Sequence, residues 1–370
     1  MKIGRLFTAV FLVPLFHLGQ DPGTSSGSTQ DRHLPQSQHA EQFLGLASPH
    51  RQTEFITHEN HSFSWDKNYL VVFGTGEVKQ PITLYDKTGK WLFESWLTVG
   101  GAARIFIQDA SPTSKGTVVV AASSVDKDGA SSDMIVEVVK GGLGRIIRTS
   151  PFYALRLCTT DEGTVWAYGV ELTDDRRAER GLHYPMLREY SFEKGELRSA
   201  LDRATVRPPR GVPVDGSPAE EFQMRCGFGK AVLVNGATRE LIEYHFSASQ
   251  LNRWPMNIQP EGYQVNGAAL TESGDVYLSA CRCGRPKSMT GMFYLRLVSA
   301  GTAEWVPLVV TPATVAPHED GIFHLLGNDG ADLVYSRDLR SSTIFWSEAP
   351  ATNSLSNLGQ KPALERGSEK

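Results

Sequence analysis

The sequence predicts an all-β fold in which short strands form a closed ring of antiparallel sheets. Glycine and proline contribute 35 and 20 of the 370 residues, beside 40% hydrophobic residues, a balance typical of strands joined by turns. No amphipathic helical stretch stands out, and similar units of strand, turn and strand recur along most of the chain. A closed ring is favoured because about two dozen strands in one open sheet would leave unpaired edges.

The clearest unit is residues 265–284, where an apolar segment reaches a polar turn and then an alternating strand, Val276 to Ala280. The glycines of the corresponding turns are Gly116, Gly163, Gly229, Gly274 and Gly330, spaced by 47, 66, 45 and 56 residues. These spacings are near the ~40 to 50 residues of a four-stranded propeller blade, with insertions. With a further unit at residues 69–96, the sequence predicts a six-bladed β-propeller with four-stranded antiparallel blades over residues 54–350.

The units also predict where the ring closes and where loops are long. The sixth unit shows three strands, so we expect residues 54–65 to supply its outer strand. The 66-residue interval contains a charged stretch, residues 173–180, and a proline-rich stretch, residues 207–218. Long connections on a rigid scaffold often carry binding residues.

The two ends of the chain predict export and polar extensions. Lys2 and Arg5 precede the apolar run Leu6 to Leu18, which is too short to span a bilayer, so residues 1–19 are interpreted as a signal peptide. Residues 20–53 are expected to be a flexible linker with a docking segment, and residues 351–370 a disordered tail. The predicted location is secreted or periplasmic, with no transmembrane segment beyond the signal peptide.

Several turns carry a resemblance to a known group of proteins. They are DEG at residues 161–163, ESGDVYL at 272–278, NDG at 328–330 and LYDKTGKW at 84–91. With these turns the chain resembles the six-bladed β-propellers related to the TolB and NHL-repeat families. That group contains binding scaffolds, lactonase-like hydrolases and lyases, so the resemblance implies an architecture and no activity.

Candidate functional residues are few. His318, Glu319 and Asp320 precede an inner strand and are candidate ligands for a divalent metal; no other cofactor is predicted. Strand tryptophans are expected to pack between blades, whereas an exposed Trp254 could stack on a sugar or a peptide. Arg207 and Arg210 are further candidate binding residues.

The chain has four cysteines, an even number that allows three disulfide pairings in an oxidising compartment. They are Cys158, Cys226, Cys281 and Cys283. The sequence does not select among the pairings.

The predicted function is binding. A net charge of −4 with scattered Lys and Arg gives no basis for nucleic-acid binding. The leading hypothesis is an exported binding or interaction module whose inter-blade loops contact a protein, a small molecule or a saccharide. One alternative is a propeller hydrolase or lyase with a metal at the channel mouth. Another is a structural component of a secreted or envelope assembly.

Overall fold

The computed structural model describes residues 44–55, 62–176, 184–202, 222–235, 240–255, 264–272, 274–281, 290–299, 302–310, 324–336 and 343–350. Regular structure in these ranges consists of strands, and they contain no helix that is long and apolar enough to cross a membrane.

The strands of the N-terminal half are β1 (Leu44–Leu46), β2 (Arg51–Glu54), β3 (Ser62–Asp66), β4 (Tyr69–Phe73), β5 (Gly76–Glu77), β6 (Ile82–Asp86), β7 (Trp91–Ser95), β8 (Ala102–Pro112), β9 (Val118–Asp126), β10 (Ser131–Val139), β11 (Gly142–Arg148), β12 (Phe152–Thr159) and β13 (Val165–Glu171). Those of the C-terminal half are β14 (Pro185–Ser191), β15 (Gly195–Asp202), β16 (Phe222–Gly227), β17 (Lys230–Asn235), β18 (Glu240–His245), β19 (Gln250–Pro255), β20 (Gln264–Leu270), β21 (Val276–Cys281), β22 (Thr290–Ser299), β23 (Thr302–Val310), β24 (His324–Asp329), β25 (Asp332–Ser336) and β26 (Thr343–Glu348).

The described strands form six sheets, numbered here in chain order. In order they are β3-β4-β6-β7, β8-β9-β10-β11, β12-β13-β14-β15, β16-β17-β18-β19, β20-β21-β22-β23 and β24-β25-β26-β2. Consecutive strands within each sheet are antiparallel, while β5 adds to the free edge of β8 and β1 pairs in parallel with β23. The chain is therefore an all-β propeller with four-stranded antiparallel blades, as the sequence predicts.

The first strand of each sheet is its inner strand, and the six inner strands contact one another in a closed order. This order is β3, β8, β12, β16, β20, β24 and again β3. Between the sixth and first sheets, the indole Nε1 of Trp65 donates a hydrogen bond of 3.0 Å to the carbonyl oxygen of Asn328. Trp65 also packs edge to face on Trp346, so the last sheet is joined to the first through the core.

The N-terminal strand of the sixth sheet corrects one sequence expectation. Its outer strand is β2, Arg51–Glu54, which pairs antiparallel with β26, whereas residues 54–65 were expected to supply it. Residues Ser62–Asp66 form the inner strand of the first sheet instead. The paired structure thus begins before residue 54. Both segments are short, and Arg51–Glu54 consists of four polar residues without an apolar alternation, so only the tertiary pairing identifies it as the outer strand.

The core lies between neighbouring sheets. Between the third and fourth sheets it contains Trp166, Tyr168 and Phe222, each 0% exposed. Every residue of β12 and of β17 is buried, because each of these strands is covered on both faces by a neighbouring sheet. The side chains that project from both faces of each strand are buried between neighbouring sheets, and their packing holds each blade against the next.

The ring has two faces with different connections. On the turn face lie the hairpins that join first to second and third to fourth strands, and these connections have two to five residues between the described strands. Neighbouring hairpins meet there; for example, the Lys230 ammonium donates to the Gly274 carbonyl at 3.1 Å. The strand ends on the opposite face, which we call the loop face, are separated in the sequence by longer intervals in three cases, namely residues 203–221, 311–323 and 172–184, which number 19, 13 and 13.

Candidate functional site at the centre of the ring

Six charged side chains of alternating sign lie at the centre of the ring, and we call them the central charge chain. In order they are Asp161, Lys67, Asp66, Arg225, Asp109 and Arg156. The Lys67 ammonium is 2.7 Å from an Asp161 carboxylate oxygen and 3.9 Å from one of Asp66. Arg225 interacts electrostatically with both Asp66 and Asp109. Because three charges of each sign alternate, every member faces a partner of opposite sign.

Arg225 joins three sheets through its guanidinium. Its Nε donates to the Ala268 carbonyl of the fifth sheet at 2.9 Å, and one terminal nitrogen donates to the Leu326 carbonyl of the sixth sheet at 2.7 Å. The other donates to the Met224 carbonyl of its own strand at 3.0 Å. A planar group with donors fixed in a fork can satisfy carbonyls on separate strands at once, which an ammonium cannot do as well.

Arg156 and Asp109 join the second, third and fourth sheets in a similar way. The Arg156 Nε donates to the Phe222 carbonyl at 2.6 Å. Asp109 accepts a hydrogen bond of 2.9 Å from the backbone N–H of Leu157. These contacts show that the central side chains replace backbone pairing between inner strands, which belong to different sheets.

A β-bulge that recurs in several inner strands positions members of the central charge chain. In the described pairings, four inner strands have an unmatched residue in their central part, namely Gln108, Leu155, Asn266 and Leu326, and β8 has a second one, Ala103, near its start. In the first three strands the central unmatched residue lies eight positions before the turn glycine. A bulge bends the strand and re-aims the side chains that follow it. The next residue is Asp109 or Arg156 in the second and third sheets, and a glycine in the fifth and sixth.

Two opposing effects set the pKa values of these groups: desolvation by burial and the attraction of the oppositely charged partners. Burial raises the pKa of the Asp66 carboxyl from 3.8 to about 6, although Lys67 and Arg225 oppose this shift. Burial likewise raises the pKa of Asp109 above its ordinary value, against Arg156, and lowers the pKa of Arg225, against Asp66 and Asp109. Burial acts to lower the pKa of Lys67, but Asp66 and Asp161 outweigh it and raise that pKa. Perturbed groups that converge in this way mark a candidate site.

A disulfide lies beside the two central arginines. It joins Cys158 of β12 to Cys226 of β16, with 5.4 Å between their Cα atoms. Arg156 is two residues from one cysteine and Arg225 is next to the other. Of the three pairings left open by the sequence, the structure therefore selects one that contains Cys158–Cys226, and this bond links the third and fourth inner strands.

Two aromatic residues of similar exposure lie on opposite faces of the ring. Trp96 follows β7 on the loop face and is 52% exposed, whereas Phe228 lies in the β16–β17 hairpin of the turn face and is 53% exposed. Beyond Trp96, the buried side chains of Leu97 and Val99 anchor the same connection. On the strand that follows this connection, β8, the Arg104 guanidinium lies 5.5 Å from the centre of the Phe106 ring.

The residues proposed from the sequence fall mostly elsewhere. Trp254 is only 6% exposed and packs with Val232 and Leu241 in the core, so an exposed stacking position for it is wrong. Its register partner on the adjacent strand is Leu241, which belongs to the same buried cluster. The other candidates, Arg207, Arg210, His318, Glu319, Asp320 and Cys283, lie outside the described residues, and for Cys281 only the backbone is described.

The sequence patterns did not lead us to predict the central charge chain, although the sequence contains an indication of it. Each of β8, β12 and β16 carries a charged residue inside an apolar strand, as in FYALRLC and FQMRC. A charge at that place is costly unless it is paired, so it indicates a partner from another strand. No group of three or more His, Cys, Asp or Glu side chains that could hold a metal occurs among the described residues.

Comparisons with known proteins add similarity of fold only. No family model and no curated protein matches the sequence. A protein from Bacteroides fragilis whose description calls it exported is 10% identical with a TM-score of 0.46, covering 77% of this chain and 82% of that one. The propeller domain of Myceliophteria thermophila Swd1 is 10% identical, with a TM-score of 0.43 and coverage of 82% and 99%. A protein of unknown function from Bacteroides caccae is 12% identical, with a TM-score of 0.40 and coverage of 70% and 85%. At these values the similarities carry no argument about function.

Proposed function

We propose that this chain is an exported six-bladed β-propeller that acts as a binding module, and that the connections of its loop face contact a protein, a small molecule or a saccharide. The observation that carries the proposal is the asymmetry of the ring. Turn-face connections between the described strands have two to five residues, whereas three loop-face connections have 13 to 19. Connections longer than about 12 to 15 residues are uncommon in compact domains, and loops on a rigid scaffold carry a large share of binding residues.

The number six rests on two facts about the described strands. They form six sheets, and the six inner strands contact one another in a closed order. A crystal of the protein should therefore give a pseudo-sixfold peak in its self-rotation function. The exported state rests on the N-terminal pattern of Lys2, Arg5 and the apolar run after them. N-terminal sequencing of the protein from culture medium or periplasm should start near residue 20.

Exposed aromatic residues on opposite faces provide the functional test. A photo-crosslinking phenylalanine analogue replaces Trp96 in one variant and Phe228 in the other, which compares two positions of similar exposure, 52% and 53%. Each variant is irradiated with envelope and secreted fractions of the source organism and with a saccharide array. We expect a specific crosslink from position 96 and none from position 228.

Two results would count against the proposal. Crosslinks confined to position 228 would place binding on the turn face, and equal products from both positions would indicate non-specific adhesion. A stoichiometric divalent metal in the purified protein, measured by elemental analysis, would instead favour the hydrolase or lyase alternative.

A further inference from the structure

The outer strand of the first sheet, β7, has an open edge. In the order β3-β4-β6-β7 it is the last strand, so among the described strands it pairs with β6 only. Every second backbone N–H and C=O pair of such a strand points away from the sheet and can pair with a further strand. From Trp91 to Trp96 the edge is roughly 15 Å long, which matches an extended segment of about five residues.

The other outer strands are better protected against the addition of a strand. β11 carries Arg145 and Arg148, β15 carries Arg198, and β19 ends near Arg253 and Pro255. Charged residues and proline on an edge oppose such pairing. The sequence of β7, WLFES, contains no Lys, Arg or Pro, and its one charge is a carboxylate.

The fifth sheet shows that an outer strand of this ring accepts an added segment. There β1, Leu44–Leu46, comes from outside the sheet and pairs in parallel with β23. The main-chain pairing runs over three consecutive residues, from Leu308 to Val310. An extended peptide is therefore an occupant that fits the edge of β7.

Three side chains of the β7 segment point to one side of the first sheet. Trp91 pairs with Tyr85 and Glu94 pairs with Thr83, with a bulge between the two pairs. Tyr85 and Thr83 are two positions apart on β6, so Trp91 and Glu94 lie on the same face. Trp96 continues this face two positions later, where exposed and buried residues still alternate.

We call Trp91, Glu94 and Trp96 the β7 strip. The two indoles are 54% and 52% exposed. Glu94 is exposed as well, and it belongs to none of the ion pairs among the described residues. On the opposite face, Phe93 and Leu97 are buried in the core between the first and second sheets, so the strip is held on a fixed strand.

Elsewhere in the molecule, arginine is the group that meets an indole and a carboxylate together. Two arginines do so, Arg51 with Trp346 and Asp329, and Arg198 with Trp166 and Glu189. The Arg51 guanidinium lies 4.2 Å from the centre of the Trp346 ring and 3.6 Å from the Asp329 carboxylate. A guanidinium stacks on a ring through its plane and donates through its edge. In the β7 strip the indoles and the carboxylate are present, and a partner has to supply the cation.

We propose that the β7 strip binds an extended basic segment of a partner protein, which adds to the edge of β7 and places an arginine or lysine side chain on Glu94 between the two indoles. Main-chain pairing supplies affinity, and the strip supplies the preference for a cation. The inference rests on the proposed function, because it takes Trp96 of the loop face as part of the partner site. It deepens that function by naming the partner as a basic peptide.

The probe is a peptide of about ten residues in which arginine and valine alternate, since its arginines share one face when it is extended. At constant ionic strength, isothermal titration calorimetry should give it an affinity at least about tenfold higher than that of the same peptide with glutamate in place of arginine. Glu94→Gln and Trp91→Ala should each weaken binding by about fivefold. Leu197→Ala is the matched control, because Leu197 is a 42% exposed apolar residue of another outer strand, β15, and its loss should leave the affinity unchanged.

Two measurements on the wild-type protein separate strand addition from a contact of side chains alone. The arginine peptide should slow hydrogen exchange of amides in Trp91–Ser95 by at least about tenfold and leave β11, β15 and β19 unchanged. The same peptide with every backbone nitrogen methylated cannot donate to the edge, so its affinity should fall by at least about tenfold.

Several results would overturn the inference. They are equal affinities for the arginine and glutamate peptides, equal affinities for the methylated and unmethylated peptides, and slowed exchange in an outer strand other than β7. Slowed exchange in β7 that rises with protein concentration alone would assign the edge to a second copy, and protection of β7 by a saccharide would assign the strip to a sugar. Crosslinks confined to position 228 would contradict the proposed function whatever the peptide does, whereas a protein crosslink at position 96 without peptide binding would contradict this inference alone.

Discussion

The second and third sheets and the fifth and sixth sheets share one bulge, but they use it differently. After the bulge, the second and third sheets place Asp109 and Arg156, whose side chains reach carbonyl and amide groups of neighbouring inner strands. The fifth and sixth sheets place Gly267 and Gly327, whose backbones touch the next strand directly. One backbone device thus closes part of the ring with charge and part with contact between main chains.

This difference predicts where the ring tolerates change. A charged side chain that fills a gap can be replaced at the cost of its hydrogen bonds, whereas a main chain in contact leaves no room for any side chain. Arg225 connects the two regions, because it starts on the fourth sheet and donates to carbonyls of the fifth and sixth. The following substitutions test each region in turn.

The largest effect is expected in the region of backbone contact. A Cβ at position 267 would overlap the backbone carbonyl oxygen of Leu325 and the hydroxyl of Ser279. Gly267→Ala should therefore lower the free energy of unfolding by about 4 kcal/mol, because a main chain cannot move aside as a flexible side chain can. Gly100→Ala is the control, since a Cβ there meets nothing within 4 Å. Equal urea midpoints for the two variants would disprove the close approach.

The next effect concerns the disulfide in the charged region. Cys158→Ala combined with Cys226→Ala opens a loop whose ends are 68 residues apart, which should lower the free energy of unfolding by about 3 to 4 kcal/mol. Urea denaturation of the double variant gives this value. Reduced wild-type protein is the control and should match the double variant; an unchanged midpoint in both would show that the bond is dispensable.

Loss of the connecting guanidinium should have a smaller effect. Arg225→Met leaves the carbonyls of Ala268 and Leu326 without this donor and should cost about 2 to 3 kcal/mol of unfolding free energy. Arg225→Lys should recover less than half of the loss, because an ammonium lacks the fork. Arg253→Met, which removes a surface pair with Glu240, is the control and should cost about 1 kcal/mol or less. Similar losses of unfolding free energy at positions 225 and 253 would show that the contacts of Arg225 stabilise the protein no more than a surface ion pair does.

The smallest effect depends on pH. The pKa of Asp66 in the folded protein is about 6, above the value of 3.8 for the free side chain, so the folded state binds this proton more tightly than the unfolded state. Asp66 therefore makes wild-type stability fall as pH rises from about 4 to about 6. Asp66→Asn lacks this fall, so its stability relative to wild type should rise by about 1 to 2 kcal/mol between pH 4 and pH 7.5. Urea denaturation across that range measures the difference; a constant difference would show that Asp66 has an ordinary pKa.

Much of the propeller could be predicted from the sequence because turn chemistry is local. Asp86 accepts hydrogen bonds from the backbone N–H groups of Thr88 and Lys90 at 2.8 and 3.1 Å, and Gly89 has a φ of 83°. These contacts involve residues at most four positions apart, so the hairpin is encoded where it forms. The all-β class, the four-stranded units and their turns follow from such signals.

The candidate site could not be predicted in the same way. Asp66, Asp109, Arg156 and Arg225 come from four sheets, and the sequence gives no distance between them. The error at Trp254 has the same origin, because its burial depends on a cluster with Val232 and Leu241, which lie on other strands. Nothing next to Trp254 in the chain distinguishes a core indole from an exposed one.

By itself, the sequence determined the strands, the turns and the repeating unit, because hydrophobic periodicity and turn residues act over a few positions. Only the tertiary structure decided that Arg51–Glu54 completes the last sheet, that Cys158 pairs with Cys226, and that six charges alternate across the centre. Each of these depends on bringing distant segments together. Closing the ring brings these segments together at its seam and along its axis.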